Sequence, residues 1–381
     1  DITEIDGFDD LHHAEGILRD AQERAARVYH ADETHFLVNG STVGILSAIL
    51  GTTEKGDSIL VARNCHKSVY HAIYLNELDP VYLYPKFDTE QGLSTEIDVA
   101  DVQKALEEHP KIRAVMIVSP TYDGVVSDIE KIAEIVHAKG CPLIVDEAHG
   151  AHFGFDPYFP KSANIYGADL VINSLHKTLP ALTQTALLHV NGDMVKRRKV
   201  KQYLDMLQTS SPSYILMASI DACIGMLEET LETHSDARSD YKYKNIFSEY
   251  ANRIEALRKD LKRLKYLKII QTDNTDRYDR SKFVISVKHA PMSSHELYEL
   301  LLNRYHLQME MLAGTYVLAM TTVGDTQEGL DRLRDALLEI DKEIDTRQGR
   351  PAAIETDLPL SGRQPALEKV WTIAEAVNRR D

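Results

Sequence analysis

The segment PLIVDEAHGAHFGF, residues 142–155, decides how this sequence folds. It opens with a short apolar run that ends on Asp146, so a buried strand terminates at a carboxylate. The segment ADLVINSLHKTLP, residues 168–180, repeats this arrangement, because an apolar strand leads directly into polar residues and Lys177. Near-continuous Val, Ile and Leu runs of this kind are typical of strands that are covered on both faces in a parallel sheet.

The same alternation of strands and helices extends outward from these two segments. A helical pattern at residues 129–138 separates two of the strands. Further strand patterns lie at residues 34–38, 58–62, 81–85, 113–119 and 185–190. We therefore predict an α/β fold with a mostly parallel central sheet and helices on both faces. Ligands in such folds bind beyond the carboxyl ends of the strands.

The pattern changes after Pro212, where long helical segments at 214–233 and 241–264 are followed by fewer strands. This predicts a smaller α+β domain after the parallel sheet. We expect a large domain at residues 1–240, which includes the linking helices, a small domain at 241–345, and a tail at 346–381. In this tail we predict a loop at 346–361 and a terminal helix at 366–377.

The composition excludes several classes of protein. With 43% hydrophobic and 27% charged residues among 381, the chain is neither disordered nor fibrous. Its formal charge of −16 disfavours nucleic acid and anionic lipid and favours a cationic small-molecule ligand. The basic run at 196–201 lacks interleaved aromatic residues, so we interpret it as a solvated helix face.

The sequence also lacks signals for export. No apolar run is long enough to cross a bilayer, and the first ten residues are acidic where a leader would be basic. The three cysteines lie far apart without CxxC spacing, which suggests neither a disulfide framework nor a zinc site. We expect a cytoplasmic protein that has no membrane partner.

Asp146 and Lys177 together indicate a cofactor. A carboxylate at the end of an apolar strand is costly unless it meets a cation, and a pyridinium nitrogen supplies one. A lysine just past a neighbouring strand can form a Schiff base with an aldehyde. Both requirements are met by pyridoxal 5'-phosphate (PLP), whose ring Asp146 would keep protonated.

A phosphate site is predicted at the sequence NGST, which places Gly40, Ser41 and Thr42 at the start of a helix. Free amides and the helix dipole favour an anion there, although an ordinary helix cap with a turn glycine is an equally good interpretation. Ser174 and His176 beside Lys177 could add hydrogen-bond donors.

Two further segments follow predicted strands and should lie at the same edge of the sheet. RNCHKS places His66 where its ring could stack on a cofactor, and a purely structural histidine is the alternative. SPTYDG places Thr121 and Tyr122 at another strand tip, where it could equally form an ordinary turn.

Two competing interpretations can be weighed from the sequence. LIVDEAH resembles the Walker B strand of a helicase, but no phosphate-binding P-loop with a Lys-Ser/Thr pair accompanies it. Asp146, His149 and His152 could bind a metal only if a helix brought the histidines together, and Gly150 makes a helix improbable. We expect no metal.

Six segments taken together resemble the fold type I ornithine/lysine/arginine decarboxylases, in particular the shorter members without an N-terminal wing domain. The resemblance is strong from Asp1 to Met226 and looser beyond, and it implies the aspartate-aminotransferase-like fold. The segments that carry it are NGST, RNCHKS, SPTYDG, VDEAHGAHFGF, SLHKTLPALTQ and SSPSY, in this order.

The resemblance implies a role for each residue around the cofactor ring. Lys177 matches the Schiff-base lysine, and Asp146 matches the partner of the ring nitrogen. His66 matches the histidine stacked on the ring, Ala148 would pack on the opposite face, and His149 would lie near the ring hydroxyl.

Phosphate contacts are implied as well, at Ser41, Thr42, Ser174 and His176. Ser210 or Ser211 matches a residue that reaches the phosphate of a neighbouring subunit. The resemblance therefore implies a homodimer or higher homo-oligomer with shared active sites.

The activity implied is PLP-dependent decarboxylation of lysine, arginine or ornithine. An aminotransferase or lyase on the same fold remains a rival, and Arg277, Arg280 or Arg304 could then clamp the substrate carboxylate. A catalytically silent PLP-binding protein is a third possibility. Compared with the family pattern, the chain is expected to be clipped at both ends.

Overall fold

The computed structural model describes residues 5, 7–232, 243, 245–270, 275–346 and 370–379. Its first part alternates strands and helices as the sequence predicts. These elements are α1 Ile17–Val28, β1 Glu33–Leu37, α2 Gly40–Thr52, β2 Ser58–Ala62, α3 Lys67–Leu75, β3 Asp79–Leu83, β4 Phe87–Asp88, β5 Leu93–Ser94, α4 Val99–Glu108, β6 Ile112–Val118, α5 Ile129–Ala138, β7 Leu143–Asp146, β8 Leu170–Ser174, α6 Leu175–Thr178, β9 Ala186–Val190, α7 Arg197–Leu207 and α8 Tyr214–Glu232.

Seven of these strands form one sheet in the order β1-β9-β8-β7-β6-β2-β3. All neighbouring pairs from β8 to β3 are parallel, and β9 runs antiparallel to both β1 and β8. Asp146 lies opposite Val118 on one side and Ile172 on the other. The prediction of a mostly parallel α/β sheet is confirmed, and β6, β7 and β8 end at the same edge.

Helices cover both faces of this sheet, so its strands are buried on both sides. Ile45 and Ile49 of α2 pack in one apolar cluster, and Ile132 and Val136 of α5 pack in another. A Cβ added at Gly44 would lie 2.7 Å from Cδ1 of Leu37, so α2 rests directly on the sheet. This close packing fixes the position of the N-terminus of α2.

A second group of elements follows. Its four-stranded sheet has the order β10-β11-β13-β12 and is antiparallel throughout. The elements are α9 Ile246–Leu261, β10 Lys268–Ile270, β11 Lys282–Ser286, α10 Ser294–Asn303, β12 Met311–Leu312, β13 Tyr316–Met320, α11 Gln327–Thr346 and α12 Ile373–Asn378.

The predicted domain limits at residues 240 and 345 stay a proposal. The first limit, and nearly all of the predicted loop at 346–361, lie outside the described residues. The helix predicted at 241–264 is α9, which ends earlier, at Leu261. The final helix starts later than predicted, because Thr372 and Glu375 form a capping box at its first turn.

Main-chain hydrogen bonds join the two sheets at one seam. The amide of Val126 donates to the carbonyl of Arg277 at 2.9 Å, and the amide of Asp279 donates to the carbonyl of Gly124 at 2.7 Å. Val125 and Tyr278 form an antiparallel bridge between these two bonds. The loop that follows β6 is therefore attached to the residues that lead into β11.

The basic run lies in and just before α7, and its charges are compensated locally. Arg197 Nη1 lies 3.1 Å from Glu33, and Lys199 Nζ lies 2.8 Å from Glu54. This agrees with a solvated helix face. In the part of the chain that the structure covers, no helix combines the length and apolar character needed to cross a membrane.

Candidate active site

A cavity of about 740 Å³ opens at the carboxyl edge of the large sheet. This size suits a small molecule, since ligand pockets span roughly 300–1,000 Å³. Its walls come from the segments that follow successive strands: 39–42, 64–67, 120–123, 146–149 and 176–177. The predicted convergence of these segments at one sheet edge is thus observed.

Lys177 reaches this cavity from the short helix α6, which begins directly after β8. Its Nζ lies 3.1 Å from Nε2 of His149. Burial lowers the pKa of Lys177, and the nearby charges of Asp146 and Glu310 oppose that shift. A lysine with a lowered pKa supplies more free amine near neutrality, which suits covalent attachment to a carbonyl.

Asp146 faces the same cavity from the end of β7 and is only 5% exposed. Its Oδ1 accepts a hydrogen bond from the amide of Ala148 at 3.1 Å. Burial raises the pKa of Asp146, and the charge of Lys177 and this hydrogen bond act in the opposite direction. A buried carboxyl of this kind ionises more easily when a cation lies beside it.

His149 contacts both Lys177 and Tyr122 at the cavity wall. Its ring centroid is 4.4 Å from that of Tyr122, and its Nδ1 is buried with no hydrogen-bond partner among the described residues. Burial holds the pKa of His149 well below its usual range, and the charges of Lys282 and Lys177 add to this effect. The ring is therefore neutral, with one polar atom left for a ligand.

The N-terminus of α2 forms part of the cavity wall, which Ser41 and Thr42 line. The side chain of Asn39 does not cap this helix, because its Oδ1 accepts a hydrogen bond from the amide of Thr209 at 3.0 Å. Gly40 has φ +76°, a conformation that glycine adopts at little cost, and its amide donates to the carbonyl of Gln184. The uncapped first turn offers donors to an anion.

His66 combines a place on the cavity wall with a structural hydrogen bond, and its stacking on a cofactor ring stays a prediction. It lines the cavity, and its Nδ1 also accepts a hydrogen bond from the amide of Ser68, which caps α3. Burial lowers the pKa of His66, helped by the charge of Lys177. His176 lines the cavity as well, with its Nδ1 3.0 Å from the carbonyl oxygen of Thr185.

Three predicted phosphate contacts lie apart from the cavity wall. Ser174 is the last residue of β8 and fully buried, so its hydroxyl is not on the lining. Ser210 and Ser211 are exposed and follow Thr209, whose amide binds Asn39. Phosphate contacts by these serines stay predictions.

The alternative metal site would need Asp146, His149 and His152 to lie together, but His152 is paired elsewhere. His152 is buried, and its Nε2 lies 3.1 Å from Oδ1 of Asp279. Across the residues placed by the structure, no group of three or more His, Cys, Asp or Glu side chains is arranged to hold a metal ion.

Sequence analysis missed an acid beside the cavity. Tyr122 Oη donates a hydrogen bond of 2.7 Å to Oε1 of Glu310, which lies just before β12. Glu310 is also close enough to Lys177 to raise its pKa against the effect of burial. No motif surrounds Glu310, so only the packing of the small sheet could reveal its position.

Glu147, next to Asp146, fixes the loop that follows β7. Its Oε1 accepts a hydrogen bond from the amide of Ala163 at 2.7 Å, and its Oε2 accepts one from Ser162 Oγ at 2.8 Å. Burial raises the pKa of Glu147 from its ordinary 4.5 to about 7, although these hydrogen bonds lower it.

We expect Glu147→Gln to remove a pH dependence of stability. Between pH 4.5 and about 7 the unfolded chain has released this proton while the folded chain still holds it, so rising pH favours unfolding. The free energy of unfolding should fall by up to roughly 3 kcal/mol across that range in the natural sequence. Urea unfolding at several pH values measures this.

The matched control is Glu130→Gln, which changes an exposed acid on α5. Its curve of stability against pH should follow that of the natural sequence, whereas the Glu147→Gln curve should be flatter. Parallel curves for all three proteins would contradict the assignment of the proton to Glu147.

Comparison with known proteins identifies the sequence relatives. The chain matches the family model described as Orn/Lys/Arg decarboxylase, major domain, over residues 1–308. It is 33% identical to the arginine decarboxylase of Bacillus subtilis strain 168 over 368 residues, covering 96% of this chain and 74% of that protein. It is 46% identical to the protein YaaO of the same organism over 233 residues, covering 61% and 48%.

Among solved structures, the lysine decarboxylase LdcF of Francisella novicida superposes with a TM-score of 0.74 at 20% sequence identity. The match covers 88% of this chain and 52% of that one. The predicted fold type I architecture is confirmed. The chain spans about half the length of YaaO and of LdcF.

Proposed function

The chain belongs to the Orn/Lys/Arg decarboxylase family, and from this premise we propose that it decarboxylates a basic amino acid with PLP as cofactor. The observation that carries the proposal is the meeting of Lys177 and Asp146 in one cavity, at the ends of adjacent parallel strands. The substrate would be lysine, arginine or ornithine, and the products the corresponding amine and carbon dioxide.

The residues present fit PLP. The uncapped first turn of α2 suits a phosphate, and the unpartnered Nδ1 of His149 suits a polar ring substituent. Asp146 suits a ring nitrogen that carries a proton. When bound, PLP supplies an electron-accepting ring that stabilises the charge left as carbon dioxide departs.

Each side chain would have a separate role in the reaction. Lys177 would hold the cofactor covalently until substrate arrives and then be free as an amine. Asp146 would keep the proton on the ring nitrogen. Because Nζ of Lys177 and Nε2 of His149 are 3.1 Å apart, this pair can pass a proton toward the substrate α-carbon.

The three arginines considered as a carboxylate clamp for the rival aminotransferase activity are paired with acids elsewhere in the described part of the chain. Arg277 pairs with Asp128 at 2.6 Å, and Arg280 pairs with Glu255 at 2.6 Å. Arg304 pairs with two acids of α11. None of the three lines the cavity. A substrate carboxylate without an arginine partner is easier to lose, which favours decarboxylation.

Glu310 would provide selectivity for a basic side chain. Its carboxyl group accepts a hydrogen bond from Tyr122, which lines the cavity. An ammonium or guanidinium at the far end of the substrate could pair with it. A neutral side chain of equal length would leave this contact unmade.

The test is to supply PLP to the purified full chain and measure carbon dioxide release from arginine, lysine, ornithine and uncharged norleucine. We expect release from at least one basic amino acid and little from norleucine. PLP absorbance without any turnover would support the silent cofactor-binding protein, and transfer of the amino group to a keto acid would support the aminotransferase.

Glu310→Gln is the matched variant, since it keeps the shape of the side chain and removes its charge. We expect kcat/KM for the preferred basic amino acid to fall roughly 10- to 100-fold, while norleucine is unaffected. An equal loss for both substrates would show that Glu310 does not select the charge.

We also propose that two copies of the chain form a homodimer with shared active sites. The exposed Ser210 and Ser211 follow Thr209, whose amide donates a hydrogen bond to Asn39. Asn39 directly precedes the first turn of α2, which is the predicted phosphate site. Their exposure supports the proposal that this segment meets the cofactor site of a second subunit.

A further inference from the structure

Tyr122 presents an aromatic ring and a hydroxyl group on the cavity wall. Its ring centroid lies 4.4 Å from that of His149, and its hydroxyl donates a hydrogen bond of 2.7 Å to Oε1 of Glu310. The residue lines the cavity and is still 43% exposed. Part of the ring is therefore open to a ligand, next to the carboxylate of Glu310.

Glu310 is held from the second sheet. Its amide donates a hydrogen bond of 2.9 Å to the carbonyl of Leu318 in β13. The residue is exposed, and in the part of the chain that the structure describes it forms no ion pair with a lysine or arginine. Its second carboxylate oxygen, Oε2, is therefore available to a cation.

Elsewhere the same chain contains such a tyrosine and glutamate with a guanidinium bound to them. Tyr158 Oη donates a hydrogen bond of 3.0 Å to Oε2 of Glu255. Arg280 lies over the ring of Tyr158, with Cζ 4.1 Å from the ring centroid, and its Nη2 lies 2.6 Å from the same oxygen of Glu255. The three side chains are thus joined by a hydrogen bond, an ion pair and a cation–π contact.

The shape of a guanidinium suits this kind of site. A guanidinium is planar, so its face can lie on an aromatic ring while the N–H groups at its edge pair with a carboxylate. Arg304 repeats the combination, because its Cζ lies 5.0 Å from the ring centroid of Tyr305 and its Nη2 lies 2.6 Å from Oε1 of Glu339. An ammonium is a compact and strongly hydrated point charge, so it gains less from a ring face.

Tyr122 lies close to the reactive amine. His149 contacts the ring of Tyr122, and Nε2 of His149 lies 3.1 Å from Nζ of Lys177. A substrate whose amino group takes the place of Lys177 therefore has the ring of Tyr122 on the wall of the same cavity.

We propose that Tyr122 and Glu310 together form a guanidinium site, so that the chain prefers arginine to lysine and ornithine, and that Tyr122 determines this preference. The guanidinium would lie on the ring of Tyr122 and pair with Glu310, as Arg280 does with Tyr158 and Glu255. The inference deepens the proposed function and rests on it, since the guanidinium belongs to the substrate.

The test compares kcat/KM for arginine and for lysine in the PLP-loaded full chain, in its natural form and as Tyr122→Leu. The natural chain should favour arginine at least roughly tenfold. Leucine removes both the ring and the hydroxyl, so the ratio of the two kcat/KM values should fall roughly five- to twentyfold. An effect of the variant on His149 is common to both substrates and cancels from this ratio.

Two further variants separate the ring from the rest of the side chain. Tyr122→Phe keeps the ring and removes only the hydroxyl, so its ratio should stay within about threefold of the natural value. Tyr74→Leu changes a partly exposed tyrosine of α3 that is not part of the cavity lining, and it should leave the ratio unchanged. Circular dichroism verifies that each variant is folded. If Tyr122→Leu fails to fold, Tyr122→Met takes its place, because methionine also lacks the ring.

A natural chain that uses lysine or ornithine as well as arginine would overturn the inference, as would a ratio that the loss of the ring leaves unchanged. Calorimetry with arginine and lysine on the PLP-loaded chain measures binding without turnover. Tighter binding of arginine without carbon dioxide release would support the guanidinium site and contradict only the proposed function. Equal binding of the two amino acids would contradict the guanidinium site even if carbon dioxide were released.

Discussion

Lys177→Ala is expected to abolish covalent retention of PLP and to lower carbon dioxide release by at least about 10³-fold. Lys177 extends into the cavity from the turn after β8, where its lowered pKa favours the reactive amine. Alanine keeps the helix and removes both the covalent link and one partner of the proton-passing pair. Absorbance after gel filtration measures retention, and a carbon dioxide assay measures turnover.

The matched control for this change is Lys67→Ala. Lys67 also lines the cavity but lies at the start of α3, away from the tips of β7 and β8. We expect it to retain covalent PLP. If Lys177→Ala kept the cofactor absorbance while Lys67→Ala lost it, the lysine that binds the cofactor would be Lys67 and not Lys177.

Asp146→Asn is expected to lower turnover by roughly 10²- to 10³-fold while PLP still attaches covalently. The substitution preserves size and removes the negative charge that would hold a proton on the ring nitrogen. Burial already raises the pKa of this carboxyl, so its ionised form depends on the cation that it faces. Steady-state kinetics and cofactor absorbance on the same sample give both quantities.

Asp123→Asn serves as the comparison for this second change. Asp123 is another buried acid of the cavity wall, where it accepts a hydrogen bond of 2.7 Å from the hydroxyl of Tyr316. We expect turnover to fall by less than about tenfold, because this acid already has a hydrogen-bond partner within the protein. Equal losses for both variants would mean that any buried charge in the wall matters, and the role of Asp146 would be withdrawn.

The parts of the site that could be predicted from the sequence are those at the tips of parallel strands. Asp146, Lys177 and His66 each follow an apolar run, and parallel strands bring their carboxyl ends to one edge. The amide cradle at Ser41 and Thr42 was predictable for the same reason. In each case the local sequence is enough to predict where the residue lies, because the sheet brings the ends of these strands to one edge.

Other residues could not be predicted in this way. Ser174 is the last residue of β8, yet it is fully buried and is not part of the cavity lining, so spacing along the chain does not decide whether its hydroxyl contacts a phosphate. Glu310 lies just before a strand of the antiparallel sheet, and its position depends on how that sheet packs against the large one. The same holds for Arg277 and Arg280, whose acidic partners lie far away in sequence.

The seam between residues 124–126 and 277–279 has a consequence for sequence divergence. Its hydrogen bonds run between amide and carbonyl groups, which every amino acid except proline supplies in full. The pairing of the junction therefore depends on its main chain, and Gly124, whose φ is +98°, is the position where the backbone conformation itself favours one residue type. Homologues should keep the length of this junction constant, since an inserted or deleted residue would break these hydrogen bonds.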